Sequence, residues 1–408
     1  MGVEIDGARL VADLRELGQI GLTERGGLMR VAFSQADLAG RAWVRERMQA
    51  VMDVRVDPAG NMIGRYPGCE PELMPIALGS HTDTVPDGGK YDGALGVLAA
   101  LACVEALARD GVTLRHPVEV INFNSEEAAV AGGTFGSRAM AGQFDPTILR
   151  QTTVDGRLIA DIVRGAGVDP DQIVTAARPQ GSLAAYLELH PEQGGRLETA
   201  GIPIGVVEGI VAIRRFVVTF HGYANHAGTT PMEQRRDALV VAAPFILAVR
   251  STAIVHNVVG TVGTLRIEPG ASNVIPGRVD LSLEIRGQDD GLLDAVEGEL
   301  RTLAQGSGGD FKPISAKPAV ASDPWLVEQL AAASESLGLP YQRMSSGAGH
   351  DAMCMAGITR EAMLFVPSRG GVSHSPDEFT SDEQCVNGAR VLLAALLRID
   401  GQLDADGN

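Results

Sequence analysis

The sequence predicts an α/β protein of two domains, a larger mixed-sheet domain interrupted by an inserted α+β unit of ferredoxin-like order. Three observations carry this. Apolar runs at Pro75–Leu78, His116–Phe123, Leu183–Leu189 and Glu361–Val366 have the length of buried strands, and each leads into a cluster of His, Asp or Glu. From about Ile213 the pattern changes to strand, helix, strand, strand, helix, strand. After that unit, Pro324–Leu337 resumes helix and Glu361–Val366 resumes a buried strand. The expected boundaries are 1–212 for the first part of the larger domain, 213–322 for the insertion and 323–408 for the second part. A chain of 408 residues is long enough for two or three domains.

Taken in order, residues 5–24 and 35–52 have helical spacing, with Asp37 a candidate cap for the second helix. Asp53–Arg65 has the pattern of a hairpin turning at Asp57-Pro58-Ala59-Gly60. Ala94–Leu107 is rich in Ala and Leu and predicts a helix. Gly132–Arg138 predicts a tight turn, and 144–180 predicts helices over the core. In the insertion, strands are expected at Arg214–Gly222, Asn257–Glu268, Val279–Arg286 and Phe311–Ala319. Helices are expected at Arg236–Val249, with an amphipathic pattern, and at Asp290–Gly306. The closing helix is Asp382–Leu397.

Charge and composition exclude some functions. With 34 Lys and Arg against 51 Asp and Glu, the net charge is −17. Such a chain is a poor partner for nucleic acid or an anionic membrane surface. The four cysteines, Cys69, Cys103, Cys354 and Cys385, form no CxxC pair, which argues against a disulfide framework or zinc ribbon. There is no signal-peptide pattern at Met1-Gly2-Val3-Glu4 and no run of 18 apolar residues, so a cytoplasmic location is expected.

The chemistry gathers at strand ends. His81 and Asp92 follow the strand Pro75–Leu78, in loops where open α/β sheets place their sites. Imidazole and carboxylate suit Zn, Mn, Co or Ni, and Asp83 is placed to orient His81. Glu126-Glu127 follows the next strand. Adjacent carboxylates there repel one another unless a cation offsets them. One glutamate can then bind the cation while the other acts as general base. His190 ends a third strand, and His374 sits in the loop after Glu361–Val366 as a last candidate ligand.

Five motifs now stand together: G-S-H-T-D-T-V-P, G-G-K-Y-D-G-A-L-G-V, E-L-H-P-E-Q-G, N-H-A-G-T-T-P-M and P-S-R-G-G-V-S-H-S-P. Over residues 5–400 the chain resembles the hydantoinase/carbamoylase branch of the M20 metallopeptidase-like amidohydrolases. That resemblance implies two divalent metal ions (Zn, Mn, Co or Ni) bridged by Asp92, one held by His81 and His190, the other by Glu127 and His374. It implies Glu126 as general base, and His226 as an oxyanion-stabilising residue that reaches the site of a second subunit in a homodimer. Gln193, Asn273, Arg286 and the backbone N–H of Gly371 are implied to bind a small substrate through its carboxylate, with Asp83 and His350 as supports. The inserted domain becomes a lid and dimerisation domain, and the Asp92–Gly93 peptide is expected to be cis. The implied reaction is hydrolysis of an N-carbamoyl-L-amino acid, with allantoate, ureidoglycolate or β-ureidopropionate as alternative substrates. Ala128, Pro191 and Gly370-Gly371 depart from the common pattern, and the last pair bears on the substrate pocket.

Overall fold

The computed structural model describes residues 2–153 and 155–403. The strands are β1 (Asp53–Val56), β2 (Met62–Tyr66), β3 (Ile76–His81), β4 (Val118–Phe123), β5 (Ala185–Pro191), β6 (Ile204–Ile210), β7 (Ala212–His221), β8 (Val259–Glu268), β9 (Arg278–Gly287), β10 (Asp310–Lys317), β11 (Val320–Ala321), β12 (Tyr341–Ser346) and β13 (Glu361–Val366). They form a nine-stranded mixed sheet and a four-stranded antiparallel one. The chain divides into two compact units, Met1–Glu208 with Ser322–Asn408, and Gly209–Ala321.

The nine-stranded sheet has the order β1-β2-β4-β3-β5-β13-β6-β11, with β12 also on β6, and all of it except β11 and the end of β6 belongs to the first unit. The four strands in the middle, β4, β3, β5 and β13, are parallel to one another. Every residue of these four strands is buried, as expected for parallel strands covered on both faces. Their parallel direction has a consequence for chemistry: all four carboxyl ends open on the same edge. His81 is the last residue of β3, His190 lies near the end of β5, and the loops after β4 and β13 carry Glu126-Glu127 and His374.

The helices Gly7–Leu17, Ala94–Arg109, Pro324–Ser336 and Asp382–Gln402 contribute Leu14, Leu98, Leu330 and Leu396 to the main core, packed with Leu78, Val120, Leu187 and Leu364 of the sheet. A separate apolar cluster gathers Phe33, Phe135, Val163 and Ile173.

Local chemistry explains the boundaries. The β1–β2 hairpin turns because the Asp57 carboxylate accepts the Ala59 and Asn61 amides, both at 2.9 Å. The helix Gln35–Gln49 is capped by Ser34, which accepts the Asp37 amide, rather than by Asp37. Asp37 is buried and accepts the Phe33 amide at 2.8 Å. The expected turn at Gly132–Arg138 gives way at Phe135 to a short helix, Phe135–Met140. Strands β6, β11 and β12 escape the sequence pattern because they are short or only partly apolar. Among the described residues no disulfide joins the four cysteines.

In the second unit the antiparallel sheet runs β10-β7-β9-β8, with helices Ala238–Val255 and Asp290–Gly306 packed on Phe216, Phe220, Leu281 and Ile285. The helix Ala238–Val255 departs from the expected amphipathic pattern. It is long and apolar enough to cross a membrane by length and composition, since Arg250 is its one charged residue. It also lacks a polar face: Ala242, Phe245 and Val249 are buried while Val240, Leu247, Ile254 and Val255 lie exposed.

Candidate functional site

The loop after β3 brings Asp92 to the common edge, immediately before the helix Ala94–Arg109. Gly93 makes this turn at φ +63°, a conformation open to glycine. The expected cis bond is absent: Asp92–Gly93 is trans, and Glu268–Pro269 is the one cis peptide among the described residues.

The two oxygens of Asp92 face different partners. Oδ1 lies 3.2 Å from His190 Nε2 and 3.6 Å from His81 Nε2. Oδ2 lies 3.3 Å from His374 Nε2, which is itself 3.2 Å from Glu127 Oε1. Glu126 Oε2 is 3.9 Å from His81 Nε2. His81, Asp92 and His190 are buried, as is Glu127, while His374 lies at the exposed rim. Two groups, His81–Asp92–His190 and Asp92–Glu127–His374, bring their donor atoms close enough to hold a metal ion, and they share Asp92.

The histidine tautomers fit such ions. His81 Nδ1 lies 3.1 Å from the Asp83 carbonyl oxygen, and His190 Nδ1 lies 2.9 Å from that of Pro191. A carbonyl only accepts, so each Nδ1 carries a proton, and Nε2, which faces Asp92, is the nitrogen that a metal ion would take. His190 Nε2 accepts the Gly93 amide at 3.2 Å. The set of imidazole and carboxylate donors suits Zn, Mn, Co or Ni.

Electrostatics point the same way. Burial favours a neutral Asp92, but His190, His374 and His81 hold its carboxyl well below the usual range. Hydrogen bonds donated to the carboxylates of Asp92 and Glu127 lift His374 to about 10. Burial, reinforced by Glu127, Asp351 and Asp83 against the opposing pull of His81, pushes Glu126 well above the usual carboxylate range. Such a cluster of buried anions gathers positive charge from whatever source offers it, protons or cations.

Asp83 organises the neighbourhood through backbone amides. Its Oδ1 accepts from Glu126 at 3.0 Å and its Oδ2 from Glu127 at 3.1 Å. One carboxylate therefore fixes both glutamates as well as standing 3.6 Å from His81 Nδ1. His350 packs edge-on against His190 with ring centroids 4.5 Å apart, and its Nε2 meets Ser346 Oγ at 2.8 Å. Burial holds its imidazole well below the usual pKa, hence neutral.

Gln193 donates Nε2 to Asp92 Oδ2 at 2.7 Å, leaving Oε1 buried without a protein partner. Gly371 departs from expectation. Its N–H donates to the Ser368 carbonyl at 3.0 Å and is not available to a ligand. What this glycine provides is space, because at φ +65° a Cβ would stand 2.8 Å from Gly195 N.

His226, Asn273 and Arg286 all belong to the second unit. The segments around His226 and Asn273 are stitched together, with the Ala227 amide donating to the Asn273 carbonyl and Ile275 to Asn225, both at 2.9 Å. His226 is exposed, and its Nδ1 accepts the amides of Gly228 at 3.0 Å and Thr229 at 3.2 Å. In the neutral ring the proton therefore resides on Nε2, which is left as an outward donor. Arg286, near the end of β9, pairs through Nε with Glu284 at 2.7 Å.

Comparison with known proteins follows this geometry. Residues 77–398 match the model of Peptidase family M20/M25/M40. The chain belongs to this family. It is 40% identical over 399 residues to an N-carbamoyl-L-amino acid amidohydrolase of Geobacillus stearothermophilus, covering 95% of this chain and 97% of that one. It is 35% identical over 415 residues to a ureidoglycolate hydrolase of Arabidopsis thaliana, covering 97% and 87%. A hydantoinase/carbamoylase family amidase from Burkholderia multivorans superposes with a TM-score of 0.88 at 35% identity, covering 97% and 98%.

The part of this M20 site that sequence reasoning missed is the acidic and hydroxyl scaffold behind the donors. Glu188, fully buried, accepts from Ser80 Oγ at 2.8 Å and the Ala352 amide at 3.0 Å. Its signal in the sequence, a carboxylate inside an apolar strand two residues before His190, was present in E-L-H-P-E-Q-G.

The Asp83 arrangement generates a stability prediction. Asp83→Asn keeps the shape but turns one acceptor into an NH₂ group facing an amide donor. A cost of about 1–3 kcal/mol is expected for the buried mismatch, read as a lowered midpoint in urea unfolding; an unchanged midpoint contradicts the role of Asp83 as a double acceptor.

Proposed function

We propose that this chain is a di-metal amidohydrolase that hydrolyses the carbamoyl C–N bond of an N-carbamoyl-L-amino acid, yielding the amino acid, ammonia and carbon dioxide. The single observation that supports the two-ion reading best is the carboxylate of Asp92, with one oxygen toward His81 and His190 and the other toward His374. The 40% identity to an N-carbamoyl-L-amino acid amidohydrolase over nearly the whole chain supports the substrate class.

In this reading His81, His190 and Asp92 would hold one divalent ion, and Asp92, Glu127 and His374 the other. When bound, two such ions polarise the substrate carbonyl and lower the pKa of the attacking water. Glu126 takes a proton from that water and returns it to the leaving nitrogen. His226, with its proton on Nε2, donates to the carbonyl oxygen as negative charge develops there. Arg286 and Asn273 grip the substrate carboxylate, a task for which a planar guanidinium is well shaped. Gln193, which donates to Asp92, would contact the substrate beside the ions.

We further propose that the second unit acts as a lid and pairs with its copy in a homodimer. Its exposed Val240, Leu247, Ile254, Val255 and Val259 form an apolar surface on a helix and on β8, an edge strand. A bare edge strand beside exposed apolar side chains favours association. Within such a dimer His226 serves the partner's site.

The substrate is tested by assaying the protein, stripped by chelation and reloaded with Mn, Co, Ni or Zn, on N-carbamoyl-L-amino acids, ureidoglycolate, allantoate and β-ureidopropionate. Ion-dependent turnover is expected to be highest on the carbamoyl amino acids; a preference for ureidoglycolate or allantoate replaces the substrate class but keeps the mechanism. Undiminished turnover in ion-free protein overturns the di-metal reading. Glu126→Gln is expected to lose turnover by at least 10²-fold while still binding ions, whereas Glu127→Gln is expected to bind them more weakly. Comparable ion loss in both would show the two roles to be misassigned.

Subunit exchange tests the shared site. His226→Ala and Glu126→Gln chains are each expected to be inactive alone. Their heterodimer has one site with both defects and one with neither if His226 acts across the dimer, so activity returns toward half per dimer. Heterodimers that stay inactive rule out action in trans.

A further inference from the structure

Glu378 has no assigned part in the chemistry above, yet it accepts two backbone amides from the loop of Asp92. It is 5% exposed. Its Oε1 accepts the amides of Tyr91 at 2.9 Å and of Asp92 itself at 3.0 Å. Its Oε2 lies 3.0 Å from Ser373 Oγ, and that hydroxyl lies 3.0 Å from Asp92 Oδ2. Glu378 therefore holds Asp92 directly by its backbone amide, while the Ser373 hydroxyl, with one proton to donate, stands within reach of both carboxylates. Ser373 immediately precedes His374, so the same carboxylate joins the loop after β3 to the loop after β13.

The position of Glu378 is itself fixed. The Arg369 amide donates to the Phe379 carbonyl at 2.9 Å, and Thr380 Oγ1 donates to the Pro367 carbonyl at 3.1 Å. These bonds close the loop of residues 367–380 on itself. Gly89 faces Glu378 from the other side, and a Cβ there would overlap the Glu378 carboxyl group. This explains the second glycine of G-G-K-Y-D-G, a motif position that neither ions nor substrate require.

We propose that Glu378 is a positioning residue that sets the orientation of the Asp92 carboxylate toward both ion sites, and that Gly89 is glycine to admit it. The inference rests on the reading of Asp92 as the shared ligand of two ions. A free carboxylate on a loop has rotational freedom about two bonds. With its amide anchored and one oxygen within reach of the Ser373 hydroxyl, Asp92 keeps one oxygen for each pair of donors. Groups that orient a metal ligand in this way typically account for about 10–100-fold in ion affinity.

The test compares Glu378→Ala with Glu378→Gln. Glutamine retains Oε1 for the two amides and can donate Nε2 to Ser373 Oγ, so it preserves the clamp; alanine removes it. Ion-free protein is titrated with Mn²⁺ and with Zn²⁺ by calorimetry, and its folding is checked by circular dichroism. Glu378→Ala is expected to bind ions about 10–100-fold more weakly, and Glu378→Gln close to the unaltered protein. Gly89→Ala is expected to follow Glu378→Ala. Should Glu378→Ala fail to fold, Ser373→Ala severs the side-chain link alone and is expected to weaken binding. Unaltered affinity in folded Glu378→Ala, or in Ser373→Ala in its place, overturns the proposal, as does a Gln variant as weak as the Ala variant. Asp92→Asn, titrated in parallel, separates the two levels. If it binds ions normally, the two-ion reading falls; if it loses them while Glu378→Ala does not, the positioning role alone falls.

Discussion

The arrangement depends on one electrostatic constraint: several carboxylates and imidazoles are gathered, mostly out of water, at one edge of a parallel sheet. Asp92, Glu127, His81 and His190 are buried, and Glu126 is largely so. Burying carboxylates side by side is unfavourable unless positive charge accompanies them. In the chain as it stands the histidines supply it, and the lifted pKa of His374 records how strongly the carboxylates Asp92 and Glu127 retain a proton on their neighbour. A divalent ion supplies more charge at shorter range. The sheet fixes the pieces in space because β4, β3, β5 and β13 are parallel and adjacent, and their ends cannot disperse without breaking the main core.

Much of this was legible because a parallel sheet writes its position into sequence. Its strands are continuous apolar runs, and a polar residue that abruptly ends one is conspicuous. Thus His81, Glu126-Glu127, His190 and His374 could be singled out, and strand Glu361–Val366 located to the residue. Less regular elements lack that signal. Strand β11 has two residues, and β12 contains Gln342 and Arg343. Whether Ser34 or Asp37 caps the helix Gln35–Gln49 depends on a local hydrogen bond from the Phe33 amide that gives Asp37 another task. The Gly371 amide and the trans Asp92–Gly93 bond depend on local dihedral angles, which no residue pattern specifies. Glu378 was invisible for the opposite reason. In S-P-D-E-F it looks like one more acid of a solvated loop, and only three-dimensional proximity to residues 89–92 reveals it.

The helix Ala238–Val255 shows how one sequence signal can serve two interpretations. An amphipathic helix and a helix that is apolar all round share the buried residues Ala242, Phe245 and Val249. They differ at Val240, Leu247 and Ile254, where a monomeric surface helix would carry polar side chains. Those side chains gain from burial only if something covers them. In the proposed homodimer a second copy of the same unit would cover them with the same apolar surface and the same edge strand.

Net charge leaves an apparent conflict: a chain of −17 is proposed to bind a carboxylate. The conflict disappears at the scale of the site. At physiological salt, exposed charges more than roughly 8 Å apart are largely screened, so distant surface acids act weakly on a ligand. What acts are the groups in contact. Two divalent ions would add four positive charges beside Asp92, Glu126 and Glu127, and Arg286 would contribute one more at the carboxylate end. The acidic ligands are thus what permit an anion to bind, because they are the reason cations accumulate there. Removing negative charge from this cluster would therefore weaken, rather than strengthen, attraction for a carboxylate substrate. That inversion is expected of a site whose own charge is set by the ions it recruits.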